Sequence, residues 1–134
     1  MTESTPNRVE ELNSNFGCRY PFDGPGFTLA HAYYPYEMGA SGGDVHFDED
    51  ESWVIGTQDN EVAGVDFFTV ATHEIGHSLG LSHSPVAGSI MFPYYKGSQP
   101  NLQLDYDDIL AMHQLYSAFT FISQQKETEY FKKL

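Results

Sequence analysis

Apolar residues fall in short patches along most of this chain, and two stretches carry a helical period. The first runs from about Phe67 to Leu79 and places Val70, Ala71, Ile75 and Leu79 toward a core. Asp66 precedes it and suits the N-cap position. The second begins near Asp105, where Ile109, Met112, Tyr116 and Phe119 recur at spacings of three and four and predict one buried face. Asp105, Asp107 and Asp108 suit the positive end of that helix's dipole. Upstream, the β-prone residues from Phe27 to Tyr34 read as a strand, and the alternation from Asp44 to Asp48 reads as a second. Trp53-Val54-Ile55 is a short apolar stretch. Turn residues crowd 21–26, glycines mark the loop from Pro35 to Gly43, and Pro85, Gly88, Pro93, Gly97 and Pro100 punctuate a loop from His83 to Leu104. Val9 to Phe16 forms a weak strand at most. The pattern predicts an α+β domain over 16–122, a poorly ordered segment over 1–15 and a polar tail over 123–134.

Charge narrows the function. Among 134 residues there are 19 Asp plus Glu against 6 Lys plus Arg, a formal net charge of −13. Such a chain is not expected to bind nucleic acid or an anionic membrane through charge. Clustered carboxylates, such as the run Asp48 to Glu51, suit a hard cation such as calcium. No run approaches the ~20 apolar residues of a transmembrane helix, and the polar start shows no signal peptide. Cys18 is the single cysteine, so no internal disulfide is expected.

The candidate chemistry lies in the first helix. Residues 73–83 read His-Glu-x-x-His-x-x-Gly-x-x-His. His73 and His77, four apart, share a helix face, with α-carbons roughly 6 Å apart along the axis. Gly80 allows a left-handed exit from the helix, so that His83 can fold back as a third ligand. Three neutral nitrogens leave the fourth position of a tetrahedral zinc open, the mark of a catalytic rather than a structural site. Glu74, beside the first ligand, can reach a water there and is the candidate general base.

Those residues, with Ser84 and the segment Ser89-Ile90-Met91-Phe92-Pro93-Tyr94-Tyr95, resemble the matrix metalloproteinases, the matrixin branch of the metzincins. So do Tyr20 to Gly24, Leu29 to Ala32, Gly42 to Asp48 and Glu51 to Trp53. The resemblance runs from about Phe16 to Tyr116. It implies a metzincin-like zinc protease domain with a partial twisted sheet, an active-site helix, a Met-turn and a C-terminal helix. It implies His73, His77 and His83 as ligands of the catalytic zinc, Glu74 as general base and acid, and Met91 as the methionine beneath the metal. Pro93 and Tyr95 would wall the pocket for the residue after the scissile bond, and Leu29 and Ala30 would pair with substrate backbone. Asp23, Asp48 and Glu51, with carbonyls of Gly24, Gly26 and Thr28, would hold calcium. Gly42 and Asp44 would belong to a second calcium site. The expected partners are protein or peptide substrates and protein inhibitors of metalloproteinases, and the expected state is an extracellular monomer.

Three departures from the family pattern stand out. The structural zinc of the family takes three histidines and one aspartate. Here His31 and His46 remain, while Phe16 and Cys18 occupy the other two positions, leaving a Cys18, His31 and His46 set. An insertion around Tyr36 to Ala40 lengthens the spacing between the two histidines by two residues. The strand, long helix and strand that open the family's catalytic domain have no counterpart, which predicts exposed apolar surface. An inhibitory propeptide and a hemopexin-like module are likewise without counterpart. Two functions follow: a zinc endopeptidase, or a zinc-binding, catalytically incompetent module that acts as a decoy or binds inhibitor.

Overall fold

The computed structural model of the chain describes residues 20–37, 39–55 and 63–117. The expectations for 1–15, for Phe16 and Cys18, for Phe119 and for the tail lie outside these residues. Strand β1, Ala30–Ala32, pairs antiparallel with β2, Val45–Phe47, in the register Ala30↔Phe47, His31↔His46 and Ala32↔Val45. A short 3-10 turn at Gly39–Ser41 lies in the connection between them. Strand β3, Trp53–Val54, pairs in parallel with β4, Val65–Asp66, which leads directly into helix α1, Phe67–Ser78. A second helix, α2, covers residues 106–117.

Local chemistry sets these boundaries. Asp66 caps α1, its Oδ1 accepting from the Thr69 N–H at 2.8 Å. At the other end the Gly80 N–H reaches the His77 carbonyl at 2.8 Å and the Leu81 N–H reaches the Gly76 carbonyl at 2.9 Å. With Gly80 at φ 104°, this is a Schellman ending, which turns the chain sharply back along the helix. Helix α2 opens on a reciprocal cap. The Asp107 N–H donates to Asp105 Oδ1 and the Asp105 N–H donates to Asp108 Oδ2, both at 2.9 Å.

The core is small and unusually polar. Tyr33, Val70, Leu81 and Met91 are its buried apolar residues, against Asp48, Asp66, Glu74, Ser84, Ser89 and Asp108 among the polar ones. Hydrogen bonds therefore organise the centre as much as apolar burial does. Beside it, Trp53 meets Phe47 and Phe67 edge-on, at centroid distances of 5.6 and 5.7 Å, in the geometry favoured by the ring quadrupoles.

Four expectations need correction. The strand from Phe27 to Tyr34 shrinks to Ala30–Ala32, because Gly24, Gly26 and Phe27 all take positive φ and curl the chain before it. Strand β4 is too short for a periodicity to announce it. Ile75 is 49% exposed and Leu79 is also exposed, although their spacing points them toward a core. Helix α1 packs on β1, β2 and β4, and these two side chains lie away from that contact. Ile109 and Tyr116 are likewise exposed on α2. The α2 residue that is buried is Asp108, at 2% exposure. Helix α2 is held to the domain largely through polar contacts, including Tyr116 Oη donating to the Leu79 carbonyl at 2.8 Å.

Candidate metal centre

The Schellman turn delivers His83 to the face of α1 that carries His73 and His77. The Nε2 atoms of His73 and His77 stand 3.1 Å apart, and those of His73 and His83 stand 3.3 Å apart. Two nitrogens on one tetrahedral zinc at about 2.0–2.1 Å stand about 3.3–3.4 Å apart, so the spacing fits that ion. Among the described residues this is the His, Cys, Asp or Glu trio whose ligand atoms all lie within 4.8 Å of one another.

The protonation pattern fits as well. The Nδ1–H of His73 donates to the Ile90 carbonyl, and that of His77 to the Leu81 carbonyl, both at 2.7 Å. A neutral imidazole with its proton on Nδ1 presents a lone pair at Nε2. Burial is the main reason that both rings are held below the ordinary histidine range, assisted by the positive charge that a neighbouring histidine would carry. Neutral rings with converging lone pairs repel one another, and a cation between them reverses the sign of that interaction. The donor set and its geometry therefore fit a zinc ion.

Glu74 is buried between the ligands in sequence, and burial pushes its carboxyl up to about 7. A nearby divalent cation acts in the opposite direction, favouring the carboxylate. The trio and Glu74 line a cleft of about 570 Å³, together with Leu29, Ala30, His31, Pro93 and Tyr95. The expected substrate-pairing and wall residues are thus gathered with the metal trio in one cleft. Among the described residues the sheet that borders the cleft has two strands, β1 and β2.

The floor of the site joins the expected methionine, Met91, to supports that no spacing announces. Met91 is buried against α1. A Cβ built on Gly76 would stand 2.2 Å from Met91 Sδ, so a side chain between the two helical ligands would displace the methionine. Asp108 holds the turn that carries Met91. It accepts from Ser89 Oγ at 2.5 Å, from the Ile90 N–H at 2.9 Å and from the Met91 N–H at 3.3 Å. Burial opposes its charge, but these donors and the Asp105 N–H win and hold its carboxyl below the usual range. Ser84 closes the loop, its N–H donating to the Met91 carbonyl at 2.9 Å and its Oγ to Asp107 Oδ2 at 2.6 Å. The wall is fastened to the cap of α1. The Asp66 N–H donates to Tyr95 Oη at 2.8 Å and Ser98 Oγ donates to Asp66 Oδ2 at 2.6 Å. Sequence reasoning reads the aspartates of α2 as dipole partners only. The carbonyls of Ile90 and Leu81 leave no side-chain signal at all.

The expected ion-binding residues on the strand side are less fully assembled. His31 and His46 face each other across β1 and β2 with ring centroids 5.2 Å apart, packed with Tyr33. Burial, and then the charge of His46, hold His31 below its ordinary range. Cys18 lies outside the described residues. Asp23 Oδ1 accepts from the Thr28 N–H at 3.2 Å, and Glu51 Oε1 from the Gly26 N–H at 2.5 Å. Asp48 is 1% exposed, and its Oδ1 accepts from the Asp50 N–H at 3.0 Å. Its Oδ2 is buried with no hydrogen-bond partner among the described residues. Asp23, Asp48 and Glu51 do not form a trio whose carboxylate oxygens all lie within 4.8 Å of one another, in contrast to the three histidines. Gly42 sits where a Cβ would meet the Pro35 carbonyl oxygen at 2.6 Å, and the Asp44 N–H donates to the Ser41 carbonyl at 3.0 Å.

A cleft floored by a three-histidine, open-position metal cradle and a buried glutamate defines a metallohydrolase-type site on an α+β scaffold. The matrixin family model matches residues 10–117, and the chain belongs to that family, whose members are zinc metalloendopeptidases. It is 50% identical over 101 residues to matrilysin of Rattus norvegicus, an alignment spanning 75% of this chain and 36% of that protein. It is 47% identical over 100 residues to matrix metalloproteinase-2 of Drosophila melanogaster, spanning 75% of this chain and 13% of that protein. It is also 50% identical over 110 residues to karilysin of Tannerella forsythia, spanning 81% of this chain and 22% of that protein. The chain therefore covers well under half the length of these relatives. Among the described residues no helix is long and apolar enough to cross a membrane.

Proposed function

We propose that this chain is a zinc-dependent endopeptidase domain acting on protein substrates outside the cell. The observation that carries this reading is the convergence of three imidazole nitrogens, two of them with lone pairs fixed by Nδ1 hydrogen bonds, beside buried Glu74 in one cleft. His73, His77 and His83 would hold the ion. Zinc in such a site supplies Lewis acidity, which activates water and polarises a carbonyl. Glu74 takes the proton of the attacking water and delivers it to the departing amine. Leu29 and Ala30, where the chain enters β1 along the cleft, would pair with the peptide backbone, and Pro93 and Tyr95 confine the side chain that follows the scissile bond. The fastening of Tyr95 to the Asp66 amide supports a fixed wall.

Calcium at Asp23, Asp48 and Glu51, with carbonyls of Gly24, Gly26 and Thr28, belongs to the same proposal. The unpartnered Asp48 Oδ2 supports it. The second calcium at Gly42 and Asp44 and a further zinc at Cys18, His31 and His46 rest on family resemblance. So do a monomeric state and recognition by metalloproteinase inhibitors. The incompetent-module reading draws on the exposure of Ile75 and Leu79, apolar residues on the helix that bears the ligands.

Metal analysis combined with turnover of a quenched peptide separates the two readings. The peptidase reading expects bound zinc and turnover, with Glu74→Ala lowering kcat/KM by about 10²–10⁴ while zinc is retained. A cooperative, zinc-dependent melt without turnover supports the incompetent module instead. Undiminished hydrolysis by Glu74→Ala removes Glu74 from the mechanism.

A further inference from the structure

Phe27 carries two costs at once. Its side chain is 97% exposed, and its φ of 56° lies in the left-handed region that bulky residues rarely enter. Gly24 and Gly26, just before it, take φ of 83° and 88°, which glycine does freely. A glycine would serve the backbone at position 27 as well. The conformation is nevertheless enforced from both sides. The Gly26 N–H is held by Glu51 Oε1 and the Thr28 N–H by Asp23 Oδ1. Strain of this kind persists where the surroundings over-determine it, and it collects at functional sites.

The ring also has a definite place. Phe27 lines the rim of the cleft that holds the metal trio, and Thr28, Leu29 and Ala30 run from it along the cleft into β1. A lone exposed apolar residue needs no explanation. An aromatic on a strained, pinned backbone at the mouth of a cleft is a different object, because it offers a large exposed apolar face where a bound chain would pass. We infer that Phe27 is a specificity-determining residue whose ring packs against a large apolar or aromatic side chain of the bound peptide, at the position that lies over the start of β1. This inference rests on the peptidase reading and deepens it. Side chains of an extended peptide alternate between faces, so the preference falls on one position and not on its immediate neighbours.

The test uses a series of otherwise identical peptides in which Phe, Leu or Gly is placed in turn at each position flanking the scissile bond. Zinc-loaded wild type, Phe27→Gly and Phe27→Leu are compared. Wild type should prefer Phe over Gly at one position by about tenfold in kcat/KM. In Phe27→Gly that preference should vanish while the others persist, and in Phe27→Leu it should survive in part. The melting temperature of Phe27→Gly should not fall, because glycine accepts the positive φ. Affinities are measured in parallel by fluorescence anisotropy in the Glu74→Ala background, where binding is read without turnover, and should show the same loss. An identical ladder of preferences in wild type and Phe27→Gly overturns the inference. Binding with a Phe27-dependent preference but no turnover in the wild type upholds it as a recognition site while the peptidase reading fails. Turnover with preferences that ignore Phe27 does the reverse. Absence of both binding and turnover overturns the two together.

Discussion

The stretch from Asp66 to Asp108 and the stretch from Tyr20 to Glu51 border the same cleft, but they are finished to different degrees. Around the metal trio, the Nδ1 atoms of His73 and His77, the turn amides and the carboxylates of Asp66 and Asp108 find partners within the chain, although Thr69 Oγ1 is buried without one among the described residues. Asp108 answers the amides of the Met91 turn, Ile90 and Leu81 answer the ligand rings, and Asp66 answers both its helix and the Tyr95 wall. On the strand side a buried oxygen of Asp48 stands without a partner among the described residues, and Phe27 holds a strained φ between two carboxylates. The first region is preorganised by covalent neighbours and hydrogen bonds. The second leaves a buried carboxylate oxygen and a strained turn. A shared cleft can thus have one wall held by a dense hydrogen-bond network and another that keeps a strained turn and an unspent carboxylate oxygen.

Removing zinc should produce the largest effect and should fall on the preorganised side. A strong chelator is expected to abolish peptide turnover and to remove about 4.1 kcal/mol of stability if zinc was present at 1,000 times its dissociation constant. Calorimetry with and without chelator measures this. An unchanged melt would mean that the trio does not bind the ion in the folded state.

Asp108→Ala tests the same side without touching a ligand. Several buried donors lose their acceptor, each at about 1–3 kcal/mol, so a loss of about 3 kcal/mol or more is expected in denaturant unfolding. Zinc affinity should fall by about 10–100-fold, because the Ile90 carbonyl that orients His73 is no longer fixed. Retained zinc affinity would show that the ligand geometry is independent of the turn beneath it.

Calcium removal should act on the other wall. About 2.7 kcal/mol disappears if calcium was present at 100 times its dissociation constant. Hydrogen exchange should rise at Gly26, Thr28 and Asp48 while zinc content stays constant. If exchange rises equally along α1, the contrast between the two walls is wrong.

The smallest effect is one of pH. Burial opposes charge on Asp66, but hydrogen bonds from Ser98, Thr69 and Phe68 prevail and hold its carboxyl below the usual range. A folded-state value below the unfolded one adds stability above the ordinary carboxyl value, near pH 4. That stability is lost as the pH falls through the lower folded value. Asp108 adds to the same acid limb. Ser98→Ala should therefore cost about 1 kcal/mol near neutrality and progressively less in acid. A pH-independent difference in urea midpoints between wild type and Ser98→Ala would contradict this.

The spacing of His73, Glu74, His77, Gly80 and His83 makes the metal cradle legible, because helix period and a left-handed glycine are local properties. The Asp66 cap is legible for the same reason. The same rules mislead at Ile75, Leu79, Ile109 and Tyr116, whose spacing promises burial that the tertiary contacts do not provide. Periodicity says which residues share a face but not whether anything covers it. The strand predicted from Phe27 fails because β-propensity carries no information on the carboxylates that curl its first residues.

Local sequence alone thus determined the three converging histidines, their helix, its cap and its glycine exit, since each follows from neighbours within a few residues. Tertiary structure decided which carbonyls select the histidine tautomers and that Asp108 supports the turn under the trio. It also decided that Gly76 must leave room for Met91 and that Phe27 stands at the cleft's rim. The Leu81 carbonyl lies only four residues from His77, but His73 and Ile90 are 17 residues apart and Ile90 and Asp108 are 18 apart, and no local period encodes such a meeting.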